Sequence, residues 1–340
     1  MLVDRLPAEP KDHGPAAVVP GLDPANHRRH GLHATERAWP ETNCYVDLLI
    51  EVLAARGYEA LAALGFTVAQ DFEGDHFTFF KMPAADMTRL YGIEVIETAI
   101  FDDLETHLVE QVRRGRLPLV ELDAFHLPDT RGVSYGTAHS KTTVGVNRID
   151  PAAGRLDYFH NAGFFRLEGA DYDALLRPYR AGALPLFPYA EIVKFDRAAP
   201  ARDLTGTARE LLAAHLARRP AENPFQAWRR VLPRDTAALA VRPEAWFHIY
   251  AFNVLRQAGA NFGCLAAHLE WLDHGLIEAR EAAEAIAQGT KVLQFQLARA
   301  AARKRVADVD ADVSRLADHY DRLMAALVRH FGAARAAVAA

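Results

Sequence analysis

The spacing of apolar residues changes near residue 200, and this change constrains the fold more than any other feature. Before it, apolar residues at helical spacing alternate with short runs that are typical of strands. After it, helical spacing alone continues, and 35 of the last 136 residues are Ala, against 28 of the first 204. Ala is the best helix former. We therefore expect an irregular N-terminal arm at 1–35, an α+β domain at 36–200 and an all-α helical domain at 201–340.

Composition narrows the class of protein. The 340 residues are 50% hydrophobic and 24% charged, with a net charge of −5, as in an ordinary globular protein. The two cysteines, Cys44 and Cys264, cannot form a disulfide framework, and neither belongs to a zinc-binding pattern. Cys264 falls within an apolar predicted helix, so we expect it to be a core residue. Mild acidity does not favour nucleic acid or an anionic membrane. Without an apolar signal core or a stretch of about 20 apolar residues, we expect a cytoplasmic protein that contacts no membrane.

Local signals predict the elements of both domains. Thr42 or Asn43 caps a first helix that ends at Gly57, and an antiparallel sheet packs on this helix. Strands are predicted at 66–69, 76–81, 93–97, 117–122, 141–149 and 155–160, with helices at 84–91 and from about 103 to 114. Helices of the second domain are predicted at 203–218, 224–231, 243–257, 260–273, 277–303 and 306–331.

Cys44 opens the first helix, and this position suits a nucleophile. The free N–H groups and the positive dipole end of a helix stabilise a thiolate and lower its pKa. The same N–H groups can bind the oxyanion that forms when a thiolate attacks an acyl carbon. The alternative interpretation is a small buried residue at the start of a core helix.

A thiol nucleophile needs a base, and His139 lies just before a strong predicted strand. Asn161 ends the return strand of the same hairpin, so we expect it to orient the His139 ring. Asp157 and His160 are alternatives for that role and candidates for contact with substrate. A Cys at a helix N-terminus, a His at a strand start and a polar residue after the next strand are arranged as in papain-like cysteine enzymes.

Acidic residues in the loop after the strand at 117–122 allow two interpretations. Asp123, His126 and Asp129 contain the ligand types of a metal site. The favoured interpretation is a strand end with loop-capping Asp residues, so we predict no metal. In a papain-like domain this loop borders the active cleft, where Asp123 would contact a substrate amine.

Several segments resemble known families. The strings WPETNCYVDLLIEVL, DFEGDHFTFFK, LYGIEVIE, VELDAFHLPDT, AHSKTTVGVNRID and YFHNAG resemble a bacterial family of unknown function over about residues 35–335. More distantly, the N-terminal half is similar to proteins of the butirosin biosynthesis protein H type. Those have a papain-like fold followed by a helical domain, and they transfer an aminoacyl group from an acyl carrier protein to an amine. The resemblance implies an acyl-thioester on Cys44, with His139 as base.

One position departs from the papain-like pattern. Papain-like peptidases usually place a Gln six residues before the Cys as an oxyanion donor, and Ala38 occupies that position here. The oxyanion donors would then be the Cys44 N–H and a side chain such as Asn43, with Glu41 as a candidate for substrate binding. The absence of Gln at this position argues against a peptidase more strongly than against a thioester-exchange enzyme, because a thioester is already activated.

The expected function is acyl or aminoacyl transfer through an acyl-Cys44 intermediate. The expected co-substrate is a phosphopantetheine thioester on a carrier protein, the acceptor is a small molecule with an amine or hydroxyl, and no cofactor is bound. The basic arm at 27–33 is a candidate contact for an acidic carrier. A cysteine amidase or peptidase and a non-catalytic papain-like binding module remain alternatives. The acyl group, the acceptor and the oligomeric state stay open.

Overall fold

The computed structural model describes residues 16–180 and 187–332, which form two compact units. The first contains residues 16–27, 95–160, 164–180 and 187–195. The second contains residues 28–94, 161–163 and 196–332. Residues 1–15 of the predicted arm and 333–340 of the predicted helical domain lie outside the described residues. The units follow spatial contacts rather than chain order, and the boundary near residue 200 stays a prediction.

The first unit is built on an open antiparallel sheet of six strands in the order β1-β6-β2-β3-β4-β5. The strands are β1 (Glu94–Thr98), β2 (Leu117–Asp123), β3 (Lys141–Asp150), β4 (Arg155–His160), β5 (Gly163–Glu168) and β6 (Ala190–Lys194). Helices α3 (Leu104–Arg113) and α4 (Gly169–Leu176) belong to the same part of the chain. Together with the helices below, this confirms a mixed α+β protein.

The register of β3 against its two neighbours decides which loop residues meet. β2 pairs with β3 so that Asp123 lies opposite Lys141, at the end of one strand and the start of the other. β4 pairs with β3 so that His160 lies opposite Val144, three residues inside β3. The start of β3 is therefore adjacent to the end of β2, and the end of β4 lies further along.

The second unit is helical. Its helices are α1 (Cys44–Ala55), α2 (Ala84–Tyr91), α5 (Leu204–Ala217), α6 (Pro224–Val241), α7 (Ala245–Tyr250), α8 (Gln257–Leu272), α9 (Ile277–Ala302) and α10 (Asp310–Phe331). A π-helical segment, Ala251–Arg256, joins α7 to α8. The core is formed by the buried stripe of α1 together with apolar faces of α8, α9 and α10.

Most predicted elements are confirmed, and two predicted strands are wrong. The chain at Ala60–Ala69 forms a 3₁₀ helix, and Phe72 and Phe77 form an isolated β-bridge in place of the predicted strand at 76–81. A short apolar run that is buried on all sides does not distinguish a strand from a helix by its pattern. β5, β6 and α4 were not predicted.

Candidate functional site

The N-terminus of α1 carries the half-exposed Cys44 as its first residue, after the cap Asn43. The Asn43 Oδ1 accepts hydrogen bonds from the N–H groups of Tyr45 (3.2 Å) and Val46 (3.0 Å), as expected of a helix cap. Its Nδ2 donates to the Phe80 carbonyl at 3.0 Å, and the residue is 1% exposed. Both ends of the Asn43 amide are therefore hydrogen-bonded to backbone groups. Asn43 caps the helix, and its amide does not serve as the predicted oxyanion donor.

A buried charged network lies beneath this helix start. The His33 ring places Nδ1 2.5 Å from Glu51 Oε1 and Nε2 3.2 Å from Asp47 Oδ1. The Thr42 hydroxyl donates to Asp47 Oδ1 at 2.6 Å, and its N–H donates to Asp47 Oδ2 at 2.8 Å. Burial lowers the pKa of His33, but the hydrogen bonds and charges of the two carboxylates outweigh it and raise the pKa to about 9. The protonated His33 ring therefore neutralises part of the negative charge of Asp47 and Glu51, which lie on the helix that Cys44 begins.

The network was not predicted from the sequence, although one signal was present. Asp47 and Glu51 are four residues apart on α1, so they lie on the same face, inside an otherwise apolar helix. Both are buried, at 1% and 0% exposure. Buried carboxylates require partners, and His33 is the partner that pairs with both.

His139 is held by Asp123 in the first unit. The ring Nδ1 lies 2.5 Å from Asp123 Oδ2, and the ring stacks on Phe125 with centroids 4.4 Å apart. Asp123 Oδ1 also accepts from the N–H groups of Phe125 (3.0 Å) and Ser140 (3.2 Å). Burial raises the pKa of Asp123, but the hydrogen bonds from His139, Phe125 and Ser140 outweigh it, so the pKa is lowered.

The ionised carboxylate fixes the tautomer of His139. Because Asp123 accepts, Nδ1 carries the proton, and the lone pair of the neutral ring lies on Nε2. The His139 side chain is 73% exposed. The arrangement is therefore a carboxylate–imidazole pair whose ring is open to solvent and can accept a proton at Nε2.

The residue that orients His139 is thus Asp123 rather than the predicted Asn161. The prediction paired the start of β3 with the end of β4, whereas the register places the end of β2 there. Asn161 has a φ of 45° and lies in the turn between β4 and β5. Asp123 was predicted in the site, but as a substrate contact.

His160 and Asp129 form a closed buried cluster in the same unit. His160 Nδ1 lies 2.5 Å from Asp129 Oδ2, and its Nε2 lies 2.7 Å from the Thr142 hydroxyl. The Tyr158 hydroxyl donates to Asp129 Oδ1 at 2.5 Å, and burial, followed by the charge of Asp129, raises the Tyr158 pKa. Both ring nitrogens of His160 are occupied, so the cluster anchors the loop at Asp129 to the sheet.

Asp157 is engaged in an ion pair. Its oxygens accept from Arg166 Nε at 2.6 Å and from Arg166 Nη2 at 3.2 Å, which links β4 to β5. This bidentate pair satisfies the carboxylate and gives Asp157 a structural role. Neither alternative to Asn161 therefore contacts the His139 ring.

Basic and aromatic side chains contact the segment before Cys44, and these contacts were not predicted from the sequence. Lys291 Nζ lies 4.2 Å from the centre of the Trp39 ring, within the range of a cation–π contact. Trp39 is anchored by donating from Nε1 to the Ala287 carbonyl at 2.9 Å. Arg256 lies 3.7 Å from Glu41, which is half exposed. These contacts tie the residues before Cys44 to the π-helical segment and to α9.

The second cysteine differs sharply from the first. Cys264 is 3% exposed within α8, as the interpretation of a core residue predicted. Burial raises the pKa of its thiol to about 12. A thiol in that environment is not ionised near neutral pH and is therefore unreactive.

Two classes of site have no counterpart in the described residues. Within 16–180 and 187–332, no group of three or more His, Cys, Asp or Glu side chains could hold a metal ion. Asp123 and Asp129, two of the residues considered as ligands, instead bind different histidines. No helix in the same residues is long and apolar enough to cross a membrane.

Comparison with protein families places the chain in an uncharacterised group. The DUF1839 N-terminal domain matches residues 28–195, and the DUF1839 C-terminal domain matches residues 201–329. The chain belongs to the DUF1839 family, whose name assigns no activity. None of the curated proteins matches it.

Proposed function

We propose that this protein is a thiol-dependent acyl or aminoacyl transferase of papain-like type, with Cys44 as nucleophile and His139 as base. The observation that carries the proposal is the Asp123–His139 pair, with Nδ1 2.5 Å from the carboxylate. A carboxylate that holds Nδ1 stabilises the imidazolium that forms when Nε2 accepts a proton. The assignment of His139 to Cys44 comes from their order along the chain, and the experiments below test it.

Cys44 has the features expected of the nucleophile. It is half exposed, and it begins a helix whose cap, Asn43, is buried and fully engaged. Cys264 has neither property, because it is buried and its thiol pKa is raised to about 12.

The reaction proceeds in two steps. His139 Nε2 accepts the Cys44 proton, and Sγ attacks the carbonyl carbon of a thioester donor. The C–S bond of the donor breaks, the departing thiolate takes the proton from His139, and the acyl group remains on Cys44. An amine or hydroxyl acceptor then attacks the acyl-enzyme, His139 accepts the acceptor's proton, and Sγ leaves as the thiolate. The positive dipole end of α1 stabilises the oxyanion of both steps.

The donor follows from the resemblance to the butirosin biosynthesis protein H type rather than from the site itself. It is a phosphopantetheine thioester on an acyl or aminoacyl carrier protein, and the acceptor is a small molecule. Ala38 stands where a peptidase usually has its Gln donor. A thioester needs less oxyanion stabilisation than an amide, so this residue favours thioester exchange over peptide hydrolysis.

Intact-mass spectrometry after incubation with an aminoacyl carrier protein tests the covalent step. Wild type should gain the mass of one acyl group, and Cys44→Ala should gain none. Cys264→Ser is the matched control, and it should acylate like wild type. An adduct that persists on Cys44→Ala refutes the mechanism. Release of free acid without an acceptor indicates a hydrolase, and absence of any adduct indicates a binding module.

The base is tested by the rate of Cys44 acylation. His139→Ala should lower the rate by about 10²–10⁴-fold, the usual contribution of general acid–base catalysis. Asp123→Asn should lower it as well, because the amide no longer selects the correct tautomer. His126→Ala is the control, since its ring lies 5.1 Å from the same Phe125 without contacting Asp123 in the described structure. Equal rates for His139→Ala and His126→Ala would contradict the assignment.

A further inference from the structure

Two cations lie together beside the segment that leads into Cys44. Lys291, on α9, lies 4.2 Å from the Trp39 ring and 5.8 Å from the Phe295 ring. Arg256, at the end of the π-helical segment, lies 3.7 Å from Glu41. Both cations therefore contact the short segment from Trp39 to Glu41. π-Helical segments interrupt α-helices frequently at functional sites.

The charges of this pair are incompletely compensated. Burial, followed by the positive charge of Arg256, lowers the pKa of Lys291. Among the described residues no carboxylate forms an ion pair with Lys291. Arg256 forms one long ion pair, at 3.7 Å, with the half-exposed Glu41. Two cations that repel each other cost free energy unless an anion joins them. The arrangement is therefore one that an anionic ligand would stabilise.

The positions of Arg256 and Lys291 indicate how an anion bound to them would lie relative to the Cys44 thiol. Trp39 lies five residues before Cys44, so the backbone separates them by at most about 17 Å, the extended length of five residues. Trp39 itself is rigid, because its Nε1 donates to Ala287 and its ring packs on Gly259, where a Cβ would lie 2.4 Å from the indole. Lys291 is therefore held within reach of a molecule that also extends to Cys44.

We propose that Arg256 and Lys291 bind the phosphate of a phosphopantetheine acyl donor whose thioester reaches Cys44. This inference rests on the proposed function, and it adds the two side chains that would recognise the acyl donor by its phosphate. Arg and Lys are the side chains that bind phosphate, Arg through paired N–H donors and Lys as a point charge. Carrier-bound phosphopantetheine and free coenzyme A both contain this phosphate beside the pantetheine arm.

Calorimetric binding to the full chain tests the phosphate site without any reaction. The probes are 4′-phosphopantetheine and pantetheine, which differ only in the phosphate. Wild type should bind the phosphorylated probe at least about tenfold more tightly, as expected for charge-assisted hydrogen bonds. Arg256→Met and Lys291→Met should each reduce this preference, the double variant should abolish it, and Lys291→Arg should retain most of it.

Arg299→Met is the matched control, because Arg299 is an exposed cation on the same helix, α9. It should keep the wild-type preference, and an unchanged far-UV circular dichroism spectrum should show that each variant is folded. Equal affinity of wild type for the two probes overturns the inference. A preference that survives in the double variant also overturns it, because the phosphate is then bound elsewhere.

Acylation separates the failure of this inference from the failure of the proposed function. The S-acyl derivatives of the same probes are compared by the rate of Cys44 acylation, with acyl-coenzyme A and an acyl carrier protein as further donors. Acylation without a phosphate preference contradicts the site alone. Phosphate-dependent binding without acylation supports the site and contradicts the transferase. Preference for the carrier protein over acyl-coenzyme A identifies the carrier as the source of the phosphate.

Discussion

The buried His33 should make the stability of the helical unit depend on pH in a defined direction. Its ring contacts Glu51 Oε1 at 2.5 Å and Asp47 Oδ1 at 3.2 Å, and its side chain is 1% exposed. In the folded protein the pKa is raised to about 9, from the ordinary value of 6.5 that a histidine has in the unfolded chain. The folded state therefore keeps the His33 proton over a range of pH in which the unfolded state has released it.

The sign and size follow from linkage. Between these two pKa values the folded state binds more protons, so the free energy of unfolding falls as pH rises. The stabilisation is fully present below pH 6.5 and is lost as pH rises through about 9. Each pKa unit corresponds to about 1.4 kcal/mol, so the total loss is roughly 3 kcal/mol.

Urea unfolding followed by tryptophan fluorescence measures this loss. All four tryptophans, at positions 39, 228, 246 and 271, lie in the same unit as His33, so the signal reports that unit. His33→Gln is the comparison, because Gln retains hydrogen bonding but cannot take a proton. Groups that do not interact with His33 titrate alike in both proteins and cancel in the difference between them.

Wild type should be more stable than His33→Gln at pH 6, and the gap should narrow by roughly 3 kcal/mol by pH 10. The narrowing should be steepest between pH 7 and 9. Parallel pH dependences for the two proteins would refute the reasoning, because they would show that His33 does not hold its proton in the folded state. A gap that widens with pH would contradict the sign.

Two further predictions concern the segment around Cys44. Gly259→Ala should lower the free energy of unfolding by about 1–3 kcal/mol, because the new Cβ would overlap the indole of Trp39. Gly263→Ala is the control and should have little effect, because the atom nearest to its new Cβ would lie 3.7 Å away. Urea midpoints of the two variants check this. Asn43→Ala should cost about 1–2 kcal/mol through the lost cap, and Asn43→Asp should recover part of it; equal midpoints for the two would contradict the capping role.

Elements that depend on neighbouring residues were predicted well from the sequence. The helix at Ala84–Tyr91 has the predicted bounds, and Gly92 ends it with a φ of 69°. Asp103, at the start of the helix predicted from about 103 to 114, caps it by accepting from the Thr106 N–H at 2.8 Å. These features arise from hydrogen bonds between residues two to four positions apart, so the local sequence carries the signal.

Pairings between distant segments were predicted less well. The hairpin of β3 and β4 was correctly expected, but it led to Asn161 as the partner of His139. The neighbour at the start of β3 is the end of β2, which brings Asp123 there. A strand has two neighbours, and a local pattern does not show which of them ends beside a given residue.

The sequence by itself determined that the protein is α+β, that Cys44 begins a capped helix and that Cys264 lies in a core. Each follows from periodicity or capping, which act within a few residues. Only the tertiary structure decided that Asp123 holds His139, that His33 joins Asp47 and Glu51, and that Lys291 lies on Trp39. Those contacts join residues between 14 and 252 positions apart. Strand register and helix packing select them, and neither is encoded in a short stretch of chain.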